Sequence, residues 1–207
     1  MGSTERRERE RTETRQKILD AARELFVAHG FEATTMRAVA ERIEFTPTAI
    51  YHHFRNKDAL LMELCQTDFK SLAQAFMRIG RIEDPIERLD RIGEAYVKFA
   101  LENPMQYRFM FVTERPMPDD PEHYVTRGDP SEDAYAFLRD TCAEAIMSGR
   151  FRPEYQDAEE VAQMLWGSMH GIVAIRIAKE HDQWVTFRDT EETATRLREV
   201  LFRGLLN

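Results

Sequence analysis

At 207 residues and 43% hydrophobic, the chain suits one large domain or two small ones, and charges interrupt every apolar run before the ~18 residues of a membrane span. The opening MGSTERRERERTETR has no apolar stretch of the kind a secretory signal needs. Residues 1–57 carry 11 Lys+Arg against 9 Asp+Glu and the remaining 150 carry 18 against 28, so a net charge of −8 excludes a general basic surface and leaves only the first quarter for a DNA-binding face built from a few placed contacts.

Strand signals are nearly absent, and the period of 3.6 runs throughout. The fold class is therefore all-α, with about nine helices. After an Arg/Glu-rich arm over 1–11, expected to be disordered, the first helix spans about Thr12 to His29. Ile18, Leu19, Ala22, Leu25 and Phe26 form its apolar stripe, and Gly30 stops it. Thr34-Thr35 is an N-cap signal for a short helix from Met36 to Ile43. After a break at Glu44-Phe45, Thr46 caps a third helix with Pro47 at its first position, reaching Phe54. Asn56 caps a long fourth helix to about Gly80. Pro85 and Pro104 each open a further helix. Pro116 to Pro130, with four prolines and many acids, is a loop. Ser131 caps the next helix, and helices over about Asp157–Glu180 and Asp189–Leu206 finish the chain. Cys65 and Cys142 stand alone in helical patterns as small core residues of a protein kept in a reducing cytoplasm.

Two short helices joined by a tight turn and backed by a supporting first helix make either a generic three-helix corner or a helix-turn-helix. The residue types favour the second. Pro47, Thr48 and Ala49 are small enough for the third helix to enter a major groove, where methyl and hydroxyl groups meet base edges. Tyr51, His52, His53 and Lys57 supply phosphate donors, and Arg37 lies where a guanidinium reaches a guanine edge. In the C-terminal part, Trp166 and His170 share one helix face, as do Gly167 and Gly171. Two helical glycines cost about 1 kcal/mol each, which a close helix approach would offset. The aromatic and Met-rich supply, including Phe69, Phe76 and Phe99, suits an adaptable apolar cavity or an ordinary core.

The stretch TRQKILDAARELFVAHGFEATTMRAVAERIEFTPTAIYHHFRNKDALLMEL resembles the N-terminal domain of the TetR family of regulators, through LFVAHGFEATTM, AIYHHF and NKDALL. Leu165-Trp166-Gly167-Ser168-Met169-His170-Gly171, with ENPMQYRFMF before it, resembles the Trp-His-Gly subgroup of that family's C-terminal domains. The resemblance implies a helix-turn-helix domain over 12–57 and an effector-binding and dimerisation domain over 58–207. It implies DNA contacts from Thr35, Arg37, Thr46, Pro47, Thr48, Tyr51, His52, His53 and Lys57. It further implies a homodimer through the last two helices, a double-stranded palindromic operator, and release by a small, hydrophobic effector. Tyr96, Tyr107, Phe109, Met110, Phe137, Met164, Trp166 and His170 are the expected effector contacts. The family's turn usually begins with glycine, and Glu44 stands there instead, at an expected cost of about 1 kcal/mol if the backbone turns left-handed. No metalloprotease, nucleophile-elbow or phosphate-loop motif is present, and adjacent His52 and His53 diverge on a helix. The chain is thus expected to be no enzyme, to need no cofactor and no metal, and to work as a cytoplasmic repressor without contact to a membrane. A metal sensor and a purely structural helical protein are the rival readings.

Overall fold

The computed structural model describes residues 3–114, 116 and 126–207. Among these, the chain is helical, with one isolated bridge between Phe151 and Leu206. The elements are α1 (Ser3–Ala33), α2 (Met36–Arg42), α3 (Pro47–Tyr51), α4 (Lys57–Met77), α5 (Pro85–Glu102), α6 (Pro104–Phe111), α7 (Ala134–Met147), α8 (Ala158–Ala178) and α9 (Thr190–Leu205). Two compact units result: Met1–Asp68 with Met105–Tyr124, and Phe69–Pro104 with Val125–Asn207.

The first unit packs α1, α2, α3, the start of α4 and most of α6. Ile18, Ala22 and Phe26 of α1 are buried with Val39, Ala40, Ile50, Phe54, Leu60 and Leu64. Phe26 stacks on Phe109 of α6 with centroids 6.1 Å apart, so α6 completes a core begun far earlier in the chain. This unit is larger than the 12–57 segment, and a buried polar node shows why. Asp68, fully buried on α4, accepts from Arg23 Nε at 2.9 Å, Arg23 Nη2 at 2.7 Å and Gln106 Nε2 at 3.0 Å. A buried carboxylate needs such donors, and here they come from α1 and α6.

Local chemistry explains the helix limits. At Gly30, φ of 80° interrupts α1 where the stop was expected. At its other end α1 already runs from Ser3, which differs from the arm expected over 1–11. Arg6–Glu10 and Arg9–Glu13 pairs hold those exposed turns, and such i,i+4 pairs add about 0.2–0.5 kcal/mol each to a helix. The third helix ends at Tyr51, before the expected Phe54.

In the second unit, the side chains of Asp84, Asp133, Asp157 and Asp189 cap α5, α7, α8 and α9 by accepting backbone N–H bonds. Much of the acidity of this part therefore sits where it offsets helix N-termini. Asp133, and not Ser131, opens α7, because Ser131 donates instead to Asp129 Oδ1 at 2.8 Å. Residues 117–125, most of the loop expected over Pro116–Pro130, lie outside the described residues. Cys65 and Cys142 are buried, and burial pushes the Cys142 thiol up to about 12. Among the described residues no helix comes close at Gly167 or Gly171, where an added Cβ would meet open space. A close approach occurs at Gly93, where a Cβ would come within 2.6 Å of the Arg198 side chain that crosses α5 to Asp90. Of the apolar residues of α8 and α9, the two helices through which the homodimer is expected, Val161, Leu165 and Leu205 are buried in the chain's own core, whereas Ile175 and Val200 are exposed.

The polar node should dominate the stability of the first unit. At fixed protein concentration, Asp68→Ala is expected to lower the unfolding free energy by about 3 kcal/mol in urea titrations, because it takes the buried acid from Arg23 and leaves only half-exposed Asp20 to meet that charge. Arg23→Met with Asp68→Leu should recover most of that loss. Equal losses in the single and double variants would show that the pair is not what matters.

Candidate functional site

The residues expected to touch DNA sit at the starts of α2 and α3 and just beyond α3. Thr35 caps α2, its hydroxyl oxygen accepting from Ala38 N at 3.1 Å. Thr46 caps α3 in the same way, accepting from Ala49 N at 3.3 Å, with Pro47 next. Each threonine keeps its O–H to donate elsewhere. Ile50 is fully buried and anchors α3, while Thr46, Pro47, Thr48, Tyr51 and His52 are exposed. Thr48 with Tyr51 and His52 lie three and four residues apart, and so share one face. Arg37 is exposed and pairs with Glu41 on its own helix at 2.8 Å.

His53 and Lys57 are placed differently. The Lys57 ammonium donates to Phe31 O at 2.7 Å and to Glu32 O at 3.3 Å, over the Phe31 ring. It ties α4 to the chain leaving α1, so any phosphate contact shares an ammonium already committed to two carbonyls. His53 is half-buried, and its Nδ1 is buried with no hydrogen-bond partner among the described residues. Burial, and then the charges of Arg15, Arg11 and His52, hold it below the usual histidine value.

Arg15 was missing from the residues singled out in the sequence. It pairs with Glu63 of α4, donates to the His53 carbonyl at 2.8 Å, and lies 4.3 Å from the Phe54 ring centre. It fixes the end of α3 against α1 and α4. The one available signal was its position one turn before Ile18 on the inward face.

The turn between α2 and α3 has the strain its sequence foretold. Glu44 has φ of 59°, the only non-glycine among the described residues with positive φ. Phe45 N donates to Ala40 O at 2.9 Å and Glu44 N to Glu41 O at 3.2 Å, the bonding of a helix end that favours glycine at the left-handed position.

The residues expected to meet an effector divide between the two units. Tyr107, Phe109 and Met110 are buried in the first, and Phe109 packs on Phe26. In the second, Tyr96, Trp166 and His170 come together. Tyr96 Oη and His170 Nδ1 are 2.8 Å apart, and with the imidazole hydrogen on Nε2 the tyrosine donates. Trp166 and His170 meet edge to face at 5.7 Å. Tyr135 of α7 joins this group against Trp166 at 5.9 Å while its hydroxyl donates to Glu159 at 2.7 Å. No spacing in the sequence links Tyr135 to a helix so much later. Phe137 packs instead on Phe76 and beside Gly80, and Met164 is partly exposed on α8. Burial holds His170 below the usual histidine value. Among the described residues no three metal-binding side chains cluster, and no helix is long and apolar enough to cross a membrane.

Two family models match this architecture. Residues 18–64 fit the bacterial regulatory proteins of the tetR family, and residues 89–201 fit the tetracyclin repressor-like C-terminal domain. The chain belongs to the TetR family. It is 40% identical over 68 residues to an HTH-type transcriptional repressor of Mycobacterium tuberculosis, covering 33% of this chain and 36% of that one. It is 32% identical over 101 residues to the HTH-type transcriptional repressor AcnR of Corynebacterium glutamicum, covering 49% of this chain and 47% of that one. The match thus spans between a third and a half of the length of these relatives. A solved tetR-family regulatory protein from Rhodococcus RHA1 superposes with a TM-score of 0.72 at 25% identity, over 91% of this chain and 95% of that one.

Two outcomes follow from this geometry. Glu44→Gly should raise the unfolding free energy by up to about 1 kcal/mol in urea titrations, since it relieves the left-handed turn. Glu44→Ala removes the same charge but keeps the strain, and should bring no such gain. The second outcome concerns pH. The folded chain holds His53 and His170 below the ordinary value, so their contribution is complete above about pH 6.5. As pH falls through 6.5 the unfolded chain takes up protons that these sites resist, and stability declines. The melting temperature should therefore drop from about pH 7.5 to 5.5, and His53→Gln or His170→Gln should each shrink that drop. An unchanged drop in both variants would rule out these histidines as its source.

Proposed function

We propose that this protein is a transcriptional repressor that reads a palindromic DNA operator as a homodimer and is released by a small hydrophobic effector. The observation that carries the reading is α3: a five-residue helix capped by Thr46 and anchored by the buried Ile50, with Ala49 half-buried and Pro47, Thr48 and Tyr51 exposed. A helix this short adds little to a core, and its exposed residues are those that meet bases and phosphates. Thr46, Pro47, Thr48 and Arg37 face base edges, while Thr35, Tyr51, His52, His53 and Lys57 approach the backbone. Residues 12–57 carry this reading, in a cytoplasmic protein, and 58–207 carry effector binding and dimerisation. Both named relatives are transcriptional repressors, which supports repression over activation.

One five-residue helix offers too few contacts for specificity, and a two-fold dimer doubles them. Exposed Met164, Gly167 and Ile175 on α8 with half-buried Gly171 between them, and exposed Val200 and Gly204 on α9, form the face we assign to a second copy. Gly167 and Gly171, open in this chain, let another helix approach closely. Half-sites then lie about 34–36 Å apart or somewhat more. The group Tyr96, Tyr135, Trp166 and His170 offers aromatic faces and a hydroxyl–imidazole pair to orient an effector, with Phe137 of the same unit as a further candidate. Residues of α4 belong to both units, so a ligand that moves α4 alters the spacing of the recognition helices. It must favour the released state by a few kcal/mol.

Fluorescence anisotropy with DNA from upstream of the chain's own gene tests this. Thr48→Ala should cost about 1–3 kcal/mol and relax base preference, whereas Tyr51→Phe should weaken binding evenly across sequences. Ile175→Arg should yield monomers in sedimentation and lose the operator. Unchanged affinity in Thr48→Ala and Tyr51→Phe would favour the structural reading of the corner.

A further inference from the structure

The first turns of α1 carry four arginines, and their partners divide them. Arg6 pairs with Glu10 and Arg9 with Glu13, which accounts for one side of the helix as a solvated, self-paired surface. Arg7 and Arg11 have no ion pair or hydrogen bond among the described residues, and both are exposed. Their spacing is telling. Arg7, Arg11 and Ile18 are separated by four and by seven residues, so they lie on one face of the helix. Ile18 is fully buried on that face, and Ala22 and Phe26 continue it into the core. The arginines therefore occupy the continuation of the core-facing stripe, where α1 has run past its own domain and no core remains to cover it.

What lies beside this stripe is the end of the recognition helix. Arg15, next along α1, donates to the His53 carbonyl and reaches Glu63. Arg11 is close enough for its charge to act on His53. Arg11 and exposed His52 thus lie beside the end of α3, with Arg7 one turn further out on α1, and of Arg7, Arg11 and Arg15 only Arg15 has an acid. Arg7 and Arg11, one helical turn apart, are cations without an acid, and an anion supplied from outside relieves their mutual repulsion.

The geometry points to Arg7 and Arg11 as a second row of contacts to duplex phosphates, carried on the helical extension of α1 and continuing the line of Tyr51, His52 and His53. This inference rests on the DNA-reading proposal and adds a site outside the helix-turn-helix. Arginine suits it, since its planar fork matches phosphate oxygens. Phosphate contacts position the protein without reading sequence, so the row strengthens binding to every duplex alike.

The test uses the full-length chain and a duplex that the wild-type protein itself selects from a randomised pool, with a scrambled duplex beside it. Binding is measured between about 50 and 200 mM salt. Each phosphate contact contributes roughly 0.9 to the slope of log affinity against log salt, so Arg7→Gln with Arg11→Gln, which removes four contacts from a homodimer, should reduce the slope by about 4. Preference for the selected duplex over the scrambled one should stay the same. Arg6→Gln with Arg9→Gln, which removes equal charge from the paired face, should leave the slope near its wild-type value. Arg7→Lys with Arg11→Lys should keep most of the slope, and so separates lost charge from a lost helix. Equal slope changes in the two glutamine pairs, or loss of the slope in the lysine pair, would overturn the assignment. If the wild-type chain selects no duplex at all, the DNA-reading proposal fails together with this one. If it selects one and the Arg7 and Arg11 variant keeps the full slope, only this inference fails.

Discussion

The carboxylate of Asp68 is fully withdrawn from water, and an ion in that position needs nearly every lone pair engaged. Arg23 meets it with two parallel bonds and Gln106 adds a third. Because the donors stand on α1 and α6 and the acceptor on α4, the demand of one buried charge sets the register of three helices. Arg23 also reaches Asp20 at 2.7 Å, which holds the guanidinium in its plane. An apolar core of the same volume tolerates small slips between helices, whereas a forked ion pair does not. A second polar rung lies further up α4, where Glu63 takes Arg15, and Arg15 in turn holds the His53 carbonyl and the Phe54 ring. The end of the shortest helix is thereby tied to the longest one.

That arrangement frees α3 from structural duty. With Ile50 as its only buried side chain and Thr46 and Pro47 fixing its start, the rest of its surface is available to a partner. Lys57 serves the same economy from the opposite side, satisfying carbonyls left by the interruption at Gly30. The one local cost is Glu44, a left-handed residue with a side chain where glycine fits best. Its exposure places an acid beside a face that otherwise presents donors.

Much of this was legible in the chain itself. Gly30, Thr35, Thr46-Pro47 and Asn56 marked real boundaries because capping is a local transaction between a side chain and the next few amides. The strain at Glu44 was legible for the same reason. The limits of α1 and the opening of α7 were not, since i,i+4 pairs extend one and Asp133 outcompetes Ser131 at the other. Long-range partners were also hidden. Nothing in the spacing joins Arg23 to Asp68, Tyr135 to Trp166, or Arg198 to Gly93, as each pair meets only through packing. Composition alone does not distinguish a cavity wall from a core, and it gave no sign that Phe109 stacks on Phe26. The apolar residues of α8 and α9 show the same ambiguity: Val161, Leu165 and Leu205 turn inward, while Ile175 and Val200 stay exposed.

The account depends on paired recognition helices reading one duplex. Sequencing the DNA that the purified chain retains from a fully randomised pool measures this directly. The account predicts enrichment of an inverted repeat whose half-sites are centred about one helical turn apart or slightly more, with both halves needed for retention. Enrichment of a single unrepeated site, or retention without any sequence preference, would contradict it.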